Sequence, residues 1–209
     1  MAGRERRTPI IFATELLGKL APTALGSTTK RDETMTHHAA TEPTEARQLH
    51  LRAGGTSVVV NCPGSSLAEI LYWGADLGHQ SLATLAAWAE TRVGVVSGCA
   101  DVPPRLSLVP SQAEGWLGTP GLVGSRGGLG QFSAFRPVGI EVLAADGTEG
   151  APSDVRLTAH DDEADLDLVI ELRLAASGLL RARTELTNRG AGGYAVDSLL
   201  LALPVPAAE

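Results

Sequence analysis

The chain has 209 residues, 44% of them hydrophobic, enough for one sizeable domain or part of a larger protein, and carries a formal charge of −7. Phosphate recognition needs clustered Lys and Arg; with lysine only at Lys19 and Lys30 and no basic cluster beyond the first residues, the composition argues against a nucleic-acid partner and suits a neutral one such as a sugar. Cys62 and Cys99 form neither a disulfide framework nor a metal-binding spacing, so both read as buried or incidental thiols and the chain as cytoplasmic, with no cofactor or metal called for.

Residues 1–46 are charged and Thr-rich, without strand periodicity, and read as a disordered or mis-assigned leader. "IIFATELLGKL" behind Arg4, Arg6 and Arg7 mimics an export signal, but Glu15 and Lys19 interrupt it, and no apolar run is long enough to span a bilayer. Met35 is an alternative start; His37 and His38 beside it have no ligand partners in view. A partial β-sandwich domain is expected over 47–209. "QLHLRAGGTSVVVNC" alternates, turns at Gly54-Gly55 and returns, as a hairpin does. "LAEILYWG" is the next strand, and Leu82, Leu85 and Trp88 in "SLATLAAWAETR" have helical spacing, which predicts one short helix with Trp88 in the core. Residues 94–136 are rich in Gly and Pro and read as a long irregular connection. From Pro137 five period-two strands follow, among them "LLRARTELT", with Leu180, Ala182, Thr184 and Leu186 on one face and Arg181, Arg183 and Glu185 on the other. The fold class is therefore mainly β, an antiparallel β-sandwich with one short helix.

Tyr72 and Trp73 are adjacent on a strand, so one ring faces a core and the other faces solvent, a partner or a ligand. The glycines of "EGWLGTPGLVGSRGGLGQF" lack the Gly-Lys-Ser/Thr of a phosphate loop, and Val123 stands where a Ser125 nucleophile elbow needs Gly; the loop reads as tightly turned, with Trp116 and Arg126 available to a sugar or a subunit contact. "HDDEADLD" supplies Asp161, Asp162, Glu163, Asp165 and Asp167, carboxylates of the kind used in glycoside hydrolysis but crowded into a hairpin turn, where solvated charge is the expectation; a calcium site there matches no EF-hand pattern. His50, His79 and His160 are scattered and form no catalytic set.

"SVVVNCPGSSLAEILYWGADLG", "GWLGTPGLVGSR" followed by "FSAF", and "GLLRARTELTNRGAGGYAVDSLLLALPVP" together resemble the amino-terminal β-domain of bacterial α-galactosidases of glycoside hydrolase family 36, over residues 48–206. The resemblance implies a galactose-mutarotase-like supersandwich ahead of a (β/α)8 barrel that hydrolyses terminal α-linked galactose by a retaining, two-carboxylate mechanism. The family's nucleophile sits in a Lys-x-Asp element on a barrel strand; the Lys-x-Asp here, Lys30-Arg31-Asp32, lies in the leader without strand periodicity, so the chain is expected to be a fragment without catalytic residues, its sandwich incomplete and prone to associate. The resemblance further implies a homo-oligomeric parent, with an α-galactoside bound through the barrel or a neighbouring subunit and no membrane partner. Trp73, with Tyr72 and Asp76, is expected near a sugar or subunit boundary, where an aromatic face can stack on the C–H face of a sugar. Two other classes compete: a free-standing carbohydrate-binding or scaffolding β-domain, and an enzyme that uses the Asp161 to Asp167 cluster.

Overall fold

The computed structural model describes residues 45–92, 105–130, 132–145 and 152–205; the leader, Met35, His37, His38 and Cys99 lie outside them. Among the described residues there are three antiparallel sheets. β1 (Arg47–Ala53), β2 (Thr56–Cys62) and β3 (Glu69–Ala75) form the first, in that order. A small second sheet is formed by β4 (Leu122–Arg126), β5 (Leu129–Gly130) and β10 (Tyr194–Leu199), in the order β10-β4-β5. The third is a meander of β6 (Arg136–Ala145), β7 (Pro152–Asp161), β8 (Leu166–Leu174) and β9 (Leu180–Asn188). Among the described residues one α-helix, α1 (Leu82–Thr91), follows β3, its amino end capped by the Ser81 side chain accepting from the Thr84 N–H.

Strand patterning makes the core. β8 buries Leu166, Leu168, Ile170, Leu172 and Leu174 on one face and carries Asp167, Glu171 and Arg173 on the other, the alternation of a strand with one packed and one wet face. β1 lies across β7 and β8, and its Leu49 and Leu51 join Val58 and Val60 of β2 against that leucine row. Each fully buried leucine or valine contributes roughly 1.5–3 kcal/mol from burial. Gly54 and Gly55 close the β1–β2 hairpin with φ of +55° and +74°. A Cβ on Gly54 would come within 2.3 Å of the Gly178 backbone nitrogen in the β8–β9 turn, so glycine is what lets the two sheets meet at that corner.

Two expectations are corrected. The stretch 94–136 is not wholly irregular: β4 and β5 form a hairpin within it, missed because two short strands, one of them rich in Gly, have too few residues to display a period. Trp88 is half-buried and outside the main core. Helix α1 instead covers the outer face of the first sheet, burying Leu85 and Ala89, while Trp88 packs its ring 5.6 Å from that of Tyr72.

Candidate functional site

A bulge decides the orientation of the two adjacent rings. Val59 pairs with Tyr72 and Val60 with Ile70, so Leu71 is an extra residue in β3 and the side-chain alternation slips by one. Ile70 and Trp73 thereby both lean on the sandwich core, although their spacing is odd. Tyr72 takes the outer face, half-buried against Trp88, its hydroxyl donating to the Ala75 carbonyl at 2.9 Å. The guanidinium of Arg92 lies 5.5 Å from the Trp88 ring centroid, extending this outer aromatic pair with a cation.

Asp76 follows the last residue of the same strand and is held by a dense set of donors. Arg52 donates Nε to Oδ1 at 2.7 Å and a terminal nitrogen to Oδ2 at 2.6 Å, Ser57 donates its hydroxyl at 2.9 Å, and the Gly78 N–H donates at 3.2 Å. The Arg52 fork, chiefly, holds the carboxyl well below the usual carboxylate range. Ser57 is fully buried and accepts from the Leu77 N–H at 3.0 Å. Its one proton goes to Asp76, so the His50 Nε2, 2.9 Å away, must be the donor to Ser57 Oγ. A Ser, a His and an Asp thus meet here without a nucleophile: the hydroxyl is saturated and out of solvent, and burial and Arg52 lower the His50 pKa.

Trp116 and Arg126 stand elsewhere. Trp116 donates its indole N–H to the Thr119 carbonyl at 3.0 Å and folds over Gly118. Its loop is tied to the start of β3 by Glu114, which accepts from the Leu67 N–H at 3.0 Å and the Ser107 hydroxyl at 2.7 Å, and whose pKa burial raises. Leu67 and Asp76 flank β3, whose seven residues span roughly 20 Å at ~3.3 Å per residue, so the anchor of the Trp116 loop and Asp76 sit beyond opposite ends of the strand. Arg126 donates to the carbonyls of Ala164 at 2.6 Å and Ala191 at 2.9 Å and to Asn188 Oδ1 at 2.8 Å, and lies over the Tyr194 ring at 5.7 Å. These contacts pin the β7–β8 turn and the β9–β10 turn to β4. The candidate residues therefore do not converge: Tyr72, Trp73 and Asp76 lie at one end of the first sheet, Trp116 in a loop anchored at the other end of β3, and Arg126 at the end of β4.

The acidic run is not uniformly solvated, a further departure from the expectation. Asp161 is 1% exposed and accepts from three backbone N–H groups, Ala134 at 2.7 Å, Ala164 at 2.9 Å and Glu163 at 3.0 Å. Asp167 is held by His160 Nδ1 at 2.7 Å and by Arg189, while Asp162 and Glu163 are exposed. Asp161 is the anchor of the turn, and its partner Ala134 comes from a distant loop that no local pattern announces. Among the described residues no group of three or more His, Cys, Asp or Glu is placed to hold a metal ion, and no helix is long and apolar enough to cross a membrane. A narrow crevice between the β2–β3 connection and β6 to β8 is lined by Leu67, Pro137, Ile140, Leu157, Ile170 and the Cys62 thiol, which burial pushes up to about 12. Its walls are too apolar to serve a sugar, whose hydroxyls need donors and acceptors.

The described residues define the class of an antiparallel β-sandwich domain, and comparison with known proteins gives its family. The family model described as the glycosyl hydrolase family 36 N-terminal domain matches residues 66–209, and the chain belongs to that family. An α-galactosidase of Escherichia coli is 36% identical over 138 residues, which cover 66% of this chain but 18% of that enzyme. The crystal structure of the family 36 α-galactosidase AgaA from Geobacillus stearothermophilus superposes over 74% of this chain and 24% of that one, with TM-score 0.55 and 14% identity. A doubly substituted variant of AgaA in complex with raffinose gives 0.56 at the same identity and coverage. At that identity the likeness carries the fold, which is the expected amino-terminal sandwich. The chain spans less than a quarter of the length of each of these relatives.

Proposed function

We propose that the chain is the non-catalytic amino-terminal part of a cytoplasmic α-galactosidase that hydrolyses terminal α-linked galactose, and that it shapes an edge of the carbohydrate site and contributes to subunit contacts. The observation that carries this reading is the 36% identity, over most of the folded chain, to an enzyme whose name states that activity. The geometry adds a division of labour. Tyr72, Trp73 and Asp76 make one edge, in which the Arg52–Ser57 clamp fixes the carboxylate and leaves the half-buried rings beside it. Trp116, in its own loop, and Arg126, at the end of β4, are separate further candidates for a sugar or subunit contact.

Two measurements test the proposal. The 209-residue chain alone should not release a chromophore from an aryl α-galactoside; turnover that vanishes on replacing Asp165 and Asp167 would transfer the chemistry to the acidic turn and refute the non-catalytic assignment. In a full-length protein containing this domain, Trp73→Ala should weaken substrate affinity or assembly. If both stay unchanged, the edge role of Trp73 falls. Binding of raffinose by the isolated chain without turnover would favour the free-standing carbohydrate-binding domain.

A further inference from the structure

The hydrogen bonds that tie the Trp116 loop to β3 contain a competition for one hydrogen. The buried Ser107 hydroxyl lies 2.7 Å from Glu114 Oε2 and 3.1 Å from the Val109 carbonyl, both placed to accept from it. A hydroxyl has a single hydrogen, so only one of the two is well served at a time. Val109 is itself fully buried, and among the described residues no other group donates to its carbonyl. While Glu114 is ionised it takes the Ser107 hydrogen, because a carboxylate is the stronger acceptor and the distance is the shorter, and the Val109 carbonyl goes without. A proton on Oε2 changes the order. Glu114 then donates to Ser107 Oγ, Ser107 donates to Val109, and Oε1 still accepts from the Leu67 N–H at 3.0 Å, which leaves every member of the chain paired.

We infer that Glu114 is a proton-operated latch: protonated, it closes an unbroken hydrogen-bond chain from Leu67 to Val109 that fixes the Trp116 loop beside β3, and on ionisation the chain breaks and the loop loosens. What holds Glu114 holds the turn beneath the indole, because the Ser111 carbonyl accepts from the N–H groups of both Glu114 and Trp116, at 3.0 and 3.2 Å. The surroundings favour the proton. No cation is paired with Glu114 among the described residues, and the charge that faces it is the Glu69 carboxylate of β3, whose Oε1 accepts from Arg105 at 2.6 Å and from the Asn61 amide at 2.8 Å. Burial first, and the Glu69 charge in smaller measure, raise the Glu114 pKa against the pull of its two donors. The folded chain thus binds this proton more tightly than the unfolded one. The contribution of the latch is complete below the unfolded value of about 4.3 and is lost as pH rises through the folded value.

Glutamine reproduces the protonated arrangement, its carbonyl accepting from Leu67 and its amide donating to Ser107. In the 209-residue chain, Glu114→Gln should therefore have a urea midpoint above that of the wild type at about pH 8 and should converge with it towards about pH 4, the opposite of what losing a useful charge would give. Amide hydrogen exchange, corrected for intrinsic rate, reads the loop itself. Protection of the Gly115 and Trp116 amides should fall roughly two- to tenfold between about pH 5 and pH 8 in the wild type, the worth of one hydrogen bond, and stay level in Glu114→Gln. A carbon-13 titration of the Glu114 carboxyl needs no variant: its midpoint should lie above that of free glutamate, and the Leu67 amide should report the same step. A glutamine variant less stable than the wild type at about pH 8, a gap that ignores pH, wild-type loop protection indifferent to pH, or a midpoint at or below the ordinary one would each overturn the inference. None of these measurements involves a sugar, so the latch and the galactosidase reading can fail separately.

Discussion

Arg126→Ala separates a structural guanidinium from one reserved for a ligand. In the wild type the side chain donates to Ala164, Asn188 and Ala191 at 2.6–2.9 Å and covers the Tyr194 ring. Hydrogen bonds from a charged donor contribute about 1.5–3 kcal/mol each when well formed, but these share one group at a partly exposed site and do not add. Ala164, 1% exposed, would lose the strongest partner of its carbonyl, which alone costs about 1–3 kcal/mol. Together with the lost cation–π contact, the expected destabilisation is about 2–4 kcal/mol. Arg126→Lys should recover less than half of it, because an ammonium cannot span carbonyls on two turns. Urea denaturation followed by far-ultraviolet circular dichroism measures both, through the shift in midpoint at constant slope. A loss below about 0.5 kcal/mol for Arg126→Ala would refute the staple, since only surface positions without such contacts behave that way.

Gly54→Ala, which places a methyl against the Gly178 backbone at a positive φ, should cost at least about 2 kcal/mol by the same assay; near-neutral behaviour would mean the corner between the sheets is not closed. Asp76→Asn should cost about 1 kcal/mol at pH 7, the value being modest because the Asp76 side chain is 34% exposed. Because folding lowers the Asp76 pKa, its contribution is complete above the unfolded value of about 4 and is lost as pH falls through the folded value, so the gap between wild type and variant should narrow in strong acid; a gap independent of pH contradicts the Arg52 clamp. In a Cys99→Ser background, Cys62, whose pKa is raised to about 12, should react with a thiol reagent at pH 8 only at the rate of unfolding, and rapid labelling of the folded chain would show that the crevice opens.

Sequence by itself determined the strand class, the β1–β2 and β8–β9 turns, the single helix and the family likeness, because alternation, glycine turns and apolar spacing are properties of neighbouring residues. Leu180 to Leu186 could be sorted onto faces without any coordinates, and their faces are as sorted. Tertiary structure decided what alternation cannot carry. One inserted residue, Leu71, shifts the phase of β3 and puts Trp73 rather than Tyr72 on the core side, and a bulge leaves no mark in hydrophobic pattern. Asp161 stands within an acidic run that solvent alone would satisfy; it is buried because the Ala134 N–H arrives from 27 residues away to replace water. Arg126 likewise meets carbonyl partners 38 and 65 residues distant. Local sequence fixes which way a strand's side chains alternate, but the environment that each charge or ring meets is set by segments remote along the chain and adjacent only once it has folded.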